Sequence, residues 1–260
     1  MKGLLNIGNT CYFNSALQCL LQVFPRVEEK TAKNEFTREY CLFAKKFYDN
    51  GIIYENPSKL LNIFRNTFPR FDNSDQHDAQ EAFVCMLDLL DQDLVLRAFG
   101  GKKLQETVCS SGKKARIENF TVDIMPGYDL CDSIRNSHKW NVLTDYVDDA
   151  GKVWNVAATR QTYHTFPEIL AFSFPMYEGD DRDVSLSDRI RIDANEYRLF
   201  STCTHFGNSR NRGGGHYVAL IKYADDETVV LADDIHIQKL TQFPLKGRHY
   251  LALYAKNSDT

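Results

Sequence analysis

An α+β fold is predicted by three features of the chain. Apolar residues recur at helical spacing through roughly the first hundred of its 260 residues. From about Glu118 onward, β-branched and aromatic runs alternate with turn residues. No repeat or low-complexity tract interrupts this order of helices first and strands afterwards. At this length, with 43% hydrophobic residues, the chain can bury a sizeable core, and one domain over 1–260 is expected.

The helical part, about 1–97, contains four segments. Phe13, Leu17, Leu20, Leu21 and Phe24 form an apolar face after Cys11, and Pro25 ends it. Tyr40, Phe43, Phe47 and Tyr48 mark a second helix from Phe36 to Asn50, with Gly51 as its stop signal. Asn56-Pro57 reads as an N-cap followed by N1, opening a short helix through Phe64. The fourth runs from Asp78 to Leu96, with Ala79, Phe83, Met86, Leu87, Leu90 and Leu94 on one face. Its Asp78-x-x-Glu81 start has the form of a capping box.

The β part, about 98–260, is read from the runs "ENFTVDIMP", "KWNVLTDYV", "KVWNVAATR", "EILAFSFP", "YRLFSTC", "HYVALIKY", "TVVLA" and "HYLALYAK". Asp148-Asp149-Ala150-Gly151 and Ala224-Asp225-Asp226 are expected as hairpin turns, and Asp180-Asp181 as a solvated turn. Gly100–Arg116 and Phe206–Gly215 are expected to be irregular, the second containing "GNSRNRGGG".

Net charge is −4 and no basic run exceeds Lys113-Lys114, so a nucleic-acid surface is not indicated. No stretch approaches the length and apolarity of a membrane span. Asn6, Asn9, Thr10, Asn14 and Ser15 interrupt the first apolar run too early for a signal peptide. The seven cysteines, at 11, 19, 41, 85, 109, 131 and 203, form no C-x-x-C pair. Reduced core thiols are expected at Cys19, Cys41, Cys85 and Cys203, in an intracellular compartment, cytoplasmic or nuclear.

Cys11 differs from these. It follows Asn6, Gly8, Asn9 and Thr10, in a polar turn ahead of an apolar helix. A helix N-terminus favours a thiolate, and its free N–H groups can hold the oxyanion of a tetrahedral intermediate. The Asn6 side-chain amide is a second donor for that oxyanion. A histidine base held by a third group completes such chemistry. His216 follows three glycines, which allow a loop and a substrate backbone to come close, and it opens a strong strand. A hairpin would return Asp233 or Asp234 beside it.

The local text around these residues is specific. "GLLNIGNTCYFNSALQCLL" resembles the cysteine box of the ubiquitin-specific protease family, and "DQHDAQEAFVCMLDLL" its Gln-x-Asp-x-x-Glu-Phe helix. "YRLFSTCTHFGNSRNRGGGHYVALIKY" with "LADD" resembles its histidine box, and "RHYLALYAK" its closing strand. The resemblance implies Cys11 as nucleophile, His216 as general base, Asp233 as the residue orienting it and Asn6 as oxyanion donor. It implies Asp78 and Glu81 as acids beside the groove for the C-terminal tail of ubiquitin. It further implies a papain-like hand of helical thumb, β palm and β fingers, and a monomeric cysteine isopeptidase acting on ubiquitin conjugates.

Departures from the family pattern set further expectations. Only Cys109 and Cys131 stand where the family often has four zinc thiolates, so no metal or other cofactor is expected. The chain is short for the family, so reduced fingers and no accessory domain are expected, as in a compact viral or lower-eukaryote member. Thr228-Val229-Val230-Leu231-Ala232 replaces the aromatic residues usual before the Asp pair. His205 is expected in a structural or loop-contact role and His77 as a helix-start histidine. His138, His164, His236 and His249 lack metal-ligand spacing. A non-catalytic ubiquitin-binding module and a protease for another ubiquitin-like modifier are the alternatives; the intact triad residue types disfavour the first.

Overall fold

Helix α1 (Cys11–Val23) runs through the middle of the protein, buried from Cys11 to Leu21 in the computed structural model. A helix buried around its whole circumference needs neighbours on every side. Among its buried polar residues, Gln18 Nε2 donates to Lys2 O (2.9 Å) and Ser15 Oγ to Tyr12 O (3.1 Å). The structure describes all residues except 50, 52, 111, 149, 177–181, 208–214, 224–227 and 258–260. The expected turns at Asp180-Asp181 and Ala224-Asp225-Asp226, most of the glycine-rich stretch, and Asp149 therefore lie outside the described residues.

Around α1 pack α2 (Glu35–Tyr48), α3 (Ser58–Thr67), α4 (Ala79–Leu89) and α5 (Gln92–Phe99). The Asn34 side chain caps α2 by accepting from Thr37 N (2.8 Å). The third helix starts one residue later than expected, with Pro57 at the cap position. The segment read as one helix from Asp78 to Leu96 is two. It breaks at Leu90, whose backbone is extended, and the buried Asp91 accepts from Lys33 N and Asn34 Nδ2 across to α2. A tertiary contact thus wins over an uninterrupted apolar period.

The palm is a sheet ordered β14-β13-β12-β11-β16-β8-β5, with β10 also on β11. Its strands are β5 (Asp123–Ile124), β8 (Ile169–Ser173), β10 (Arg189–Ile192), β11 (Asn195–Gly207), β12 (Gly215–Lys222), β13 (Val229–Asp233), β14 (His236–Leu240) and β16 (His249–Lys256). One face packs on the helices through Cys203, Tyr217, Ala219, Ile221, Leu251 and Leu253. The opposite face carries a second core with Leu199, Leu220, Val229, Ala252 and Tyr254. Burial on both faces explains why "HYVALIKY" and "HYLALYAK" read as continuous rather than alternating apolar runs. Val229, Val230 and Ala232 fill the space before Asp233 without aromatic residues.

The fingers are a four-stranded sheet, β4-β3-β7-β6, of β3 (Gly101–Cys109), β4 (Gly112–Phe120), β6 (Asn141–Val147) and β7 (Val153–Thr165). The stretch Gly100–Arg116, expected to be irregular, is thus mostly a regular hairpin. Its charges are paired across strands: Glu106, almost fully buried, accepts from Arg160 Nε (2.6 Å) and bonds Lys113. Lys103 and the Tyr163 hydroxyl both bond the buried Asp123 on β5, tying the fingers to the palm. A helix absent from the sequence reading, α6 (Leu130–Ser137), sits between the two hairpins and is capped by Asp129. Two short pairs complete the fold: β1 (Gly3–Leu4) parallel to β2 (Tyr54–Glu55), and β9 (Val184–Ser185) antiparallel to β15 (Lys246–Gly247).

Candidate active site

The "GNT" before Cys11 is a backbone device. Gly8 (φ 83°) and Asn9 (φ 50°) are consecutive left-handed residues, a conformation that Gly and Asn adopt most readily. They reverse the chain so that Cys11 becomes the first residue of α1. The loop is held by its own side chains: Thr10 Oγ1 accepts from Ile7 N (2.9 Å), and Asn6 Oδ1 accepts from Thr10 N (3.1 Å). Intrahelical bonding begins with Asn14 N to Thr10 O, which leaves the first amides of α1 directed ahead of the helix around Cys11. Cys11 itself is buried, although its sequence neighbours are polar.

His216 opens β12, and the antiparallel β12–β13 hairpin brings Asp233 beside it. His216 Nε2 lies 2.5 Å from Asp233 Oδ1 and 3.8 Å from Asp234 Oδ2. This leaves Nδ1 on the side of the ring away from Asp233, and Cys11 is near enough to act on the imidazole electrostatically. The Cys11 sulfur, with Asp233, pushes the His216 imidazole up to about 9, against the opposing effect of its partial burial. A ring held between a sulfur and a carboxylate in this way keeps its proton at neutral pH.

Asp234 has a different environment. It sits at φ 48° in the turn to β14, and its two oxygens accept from Asn14 Nδ2 and Asn6 Nδ2, each at 2.7 Å. One N–H of the Asn6 amide is therefore committed to Asp234, and the other remains for a ligand. Leu4 N donates to Asp234 O (2.7 Å), so β1 also fixes this turn. Asn14 was not singled out in the sequence, although it lies on the first turn of α1 just after Cys11.

Gln76 stands in the "DQHD" motif, and nothing local in the sequence signals its partner. Its Nε2 donates to Gly215 O (2.6 Å), joining the loop before α4 to the backbone just ahead of His216. Gly215 is a glycine for a packing reason: a Cβ there would lie 2.0 Å from His205 Nε2. His205 is set edge-on to Tyr217 (4.7 Å) and is pushed down to about 4 by burial, Arg248 and His216. Its expected structural role fits this position. His77 packs edge-on against Tyr12 and Phe71, which also fits a helix-start residue.

The two acids of the α4 start differ. Asp78 caps the helix through Oδ1, which accepts from Gln80 N (2.7 Å), leaving Oδ2 for a ligand. Burial pushes Asp78 up to about 6 despite these backbone bonds. Burial raises the Tyr217 and Tyr250 hydroxyls, and the Asp78 carboxylate adds to that in both. Glu81 does not complete the expected capping box; it pairs with Arg70 Nη2 (2.8 Å).

Cys19 and Cys203 are fully buried with their sulfurs 3.5 Å apart, and Cys41 and Cys85 are buried too. Cys109 ends β3 and Cys131 lies in α6, beside Ser187 Oγ (3.3 Å). Among the described residues, His216, Asp233 and Asp234 have ligand atoms within 4.8 Å of one another. Asp234 already accepts two amides and Asp233 the imidazole, so this cluster is organised for hydrogen bonding.

A thiol at a helix N-terminus, a histidine on a strand and an aspartate across a hairpin, in a papain-like fold, make the arrangement that cysteine hydrolases use. Residues 2–254 match the ubiquitin carboxyl-terminal hydrolase family, and the chain belongs to it. Ubiquitin carboxyl-terminal hydrolase 23 of Arabidopsis thaliana is 22% identical over 98% of this chain and 35% of its own length. Ubiquitin carboxyl-terminal hydrolase 9 of the same plant is 29% identical over 54% of this chain and 15% of its own. The chain thus spans about a third or less of these relatives. In fold it is similar to a chain of the SAGA DUB module Ubp8/Sgf11/Sus1/Sgf73 bound to monoubiquitin. That match has a TM-score of 0.80 at 17% identity and covers 99% of this chain and 69% of the other. Among the described residues, no helix is long and apolar enough to cross a membrane.

Proposed function

We propose that the protein is a thiol-dependent ubiquitinyl hydrolase that cleaves the bond after the C-terminal glycine of ubiquitin. The observation that carries this reading is the His216 Nε2–Asp233 Oδ1 pair at 2.5 Å, on a ring whose charge also responds to Cys11 at the start of α1. The Cys11 sulfur bonds to the carbonyl carbon, and the oxyanion is held by α1 amides and the free N–H of Asn6. Collapse of the intermediate breaks the C–N bond, and the lysine amine leaves with the proton from His216. His216 then takes a proton from water, whose oxygen replaces sulfur on the carbonyl. Water is the only co-reactant.

Recognition of the tail is assigned first to Asp78, whose Oδ1 caps α4 while Oδ2 is left for a ligand. An arriving guanidinium would draw its carboxyl back to the ionised form. Glu81 contributes only by exchanging Arg70 for the tail. By strand register Ile117, Val142 and Val156 share one face of the fingers, all exposed, which suits the folded body of ubiquitin. The chain is taken to act as a monomer inside the cell, without a metal or nucleic acid.

Reaction with ubiquitin bearing a C-terminal electrophile tests the assignment. One covalent adduct on Cys11, absent in Cys11→Ala, is expected. Folded wild-type protein that forms no adduct, or a Cys11→Ala variant that does, would refute it.

A further inference from the structure

The active site has two flanks. Asp78, Tyr217, Tyr250 and the Gln76–Gly215 bond lie toward β11 and β16, whereas Asp233 and Asp234 lie on the β13 side of His216. If the ubiquitin tail occupies the first flank, as proposed above, the released amine and the protein carrying it depart over the second.

That second flank is apolar and backbone-braced. Gly3 and Tyr54 are directly paired in the parallel β1–β2 ladder, so the Tyr54 side chain stands on the side where a Gly3 side chain would point. A Gly3 Cβ would meet the backbone of Ile235, at 2.4 Å from its oxygen. The Tyr54 side chain and the Ile235 backbone therefore share one side of β1, with β1 and β2 about 4.8 Å apart. Gly3 forms the saddle between them. Tyr54 is 42% and Ile235 39% exposed, and Ile53 at the rim is 80% exposed. The patch is anchored to the catalytic turn by the Leu4 N bond to Asp234 O and to β2 by Gly3 N to Ile53 O (3.0 Å). Large apolar side chains grouped next to a reaction centre on a fixed backbone mark a contact surface.

We propose that Tyr54 and Ile235 form a docking surface for the protein acceptor, favouring ubiquitin attached to a lysine with apolar neighbours. The inference rests on the function proposed above and adds the class of acceptor. Ubiquitin joined through its terminal glycine to the lysine of two peptides tests it, one with leucine and one with serine on either side of that lysine. Wild-type protein should cleave the leucine peptide with about tenfold higher kcat/KM, the scale set by burying one apolar side chain. The Tyr54→Ser/Ile235→Ser variant should lose that preference yet turn over a small ubiquitin C-terminal amide at the wild-type rate. Equal cleavage of both peptides by wild-type protein would overturn the inference while leaving the proposed function intact. So would a variant slowed equally on the small amide and on both peptides, because the patch would then serve only the Asp233 turn. Wild-type protein unable to cleave even the small amide would overturn both.

Discussion

A methyl group at position 215 should stop catalysis before it unfolds the protein. In Gly215→Ala the new Cβ would lie 2.0 Å from His205 Nε2 and 2.2 Å from Cε1. Ordinary contact begins at 3.4 Å, so the ring or the start of β12 must move about 1.4 Å. The ring has little freedom, with Tyr217 at 4.7 Å and Tyr250 at 5.8 Å. Overpacking of this kind costs about 1–3 kcal/mol, which a domain of this size survives. The catalytic effect is larger, because Gly215 precedes His216, and a misplacement of about 1 Å costs on the order of 10²-fold. Turnover of a ubiquitin C-terminal amide and the urea midpoint should be measured for Gly215→Ala, His205→Ser and the double variant. The single glycine variant should lose about 10²-fold in kcat, and His205→Ser on that background should recover most of it. Full activity in Gly215→Ala would refute the steric account. A double variant as slow as the single would show that the substrate, rather than His205, requires the glycine.

Three other perturbations follow from the geometry. His216 loses its proton as pH rises through about 9, so kcat/KM should fall on the alkaline side there. Asp233→Asn should move that limb to lower pH and Asp234→Asn should not; an unmoved limb in Asp233→Asn would assign the orienting carboxylate elsewhere. His249 is fully buried, bonds Thr204 Oγ1 (2.9 Å), and is pushed down to about 4 by burial. The unfolded chain binds its proton first, so stability should be complete above about pH 6.5 and decline until about pH 4. The urea-measured advantage of wild type over His249→Asn should shrink by about 3 kcal/mol across that window, and a constant difference would refute the linkage. Lys103→Met leaves the buried Asp123 with only the Tyr163 hydroxyl and should cost about 3–5 kcal/mol in urea unfolding. Adding Asp123→Leu should recover part of it, and a loss below about 1 kcal/mol would mean the pair behaves as a surface one.

Which groups of the candidate site are legible in the sequence depends on how local their cause is. Cys11 was readable because Gly8, Asn9 and Thr10 act on the backbone within one turn of it. His216 and Asp233 were readable as a hairpin pair, although the two aspartates could not be separated by hairpin reasoning. What separates them is the Asn6 and Asn14 amides, which reach Asp234 from more than 200 residues away in sequence. Glu81 looked like a free groove acid because nothing local announces Arg70, brought to it by the short helical turn after α3.

The order of helices and strands, the capped start of α4 and the thiol at a helix N-terminus follow from sequence alone. Side-chain period, turn chemistry and capping act between residues a few positions apart. The break between α4 and α5, the hairpin in the charged stretch before Arg116, the Gln76–Gly215 bond and the glycine that accommodates His205 were decided only in three dimensions. Each depends on a partner from a distant segment: Asp91 on α2, Glu106 on Arg160, Gln76 on β12, and Gly215 on a ring from β11. Local energies of a few tenths of a kcal/mol per residue give way to one buried contact worth about 1–3 kcal/mol.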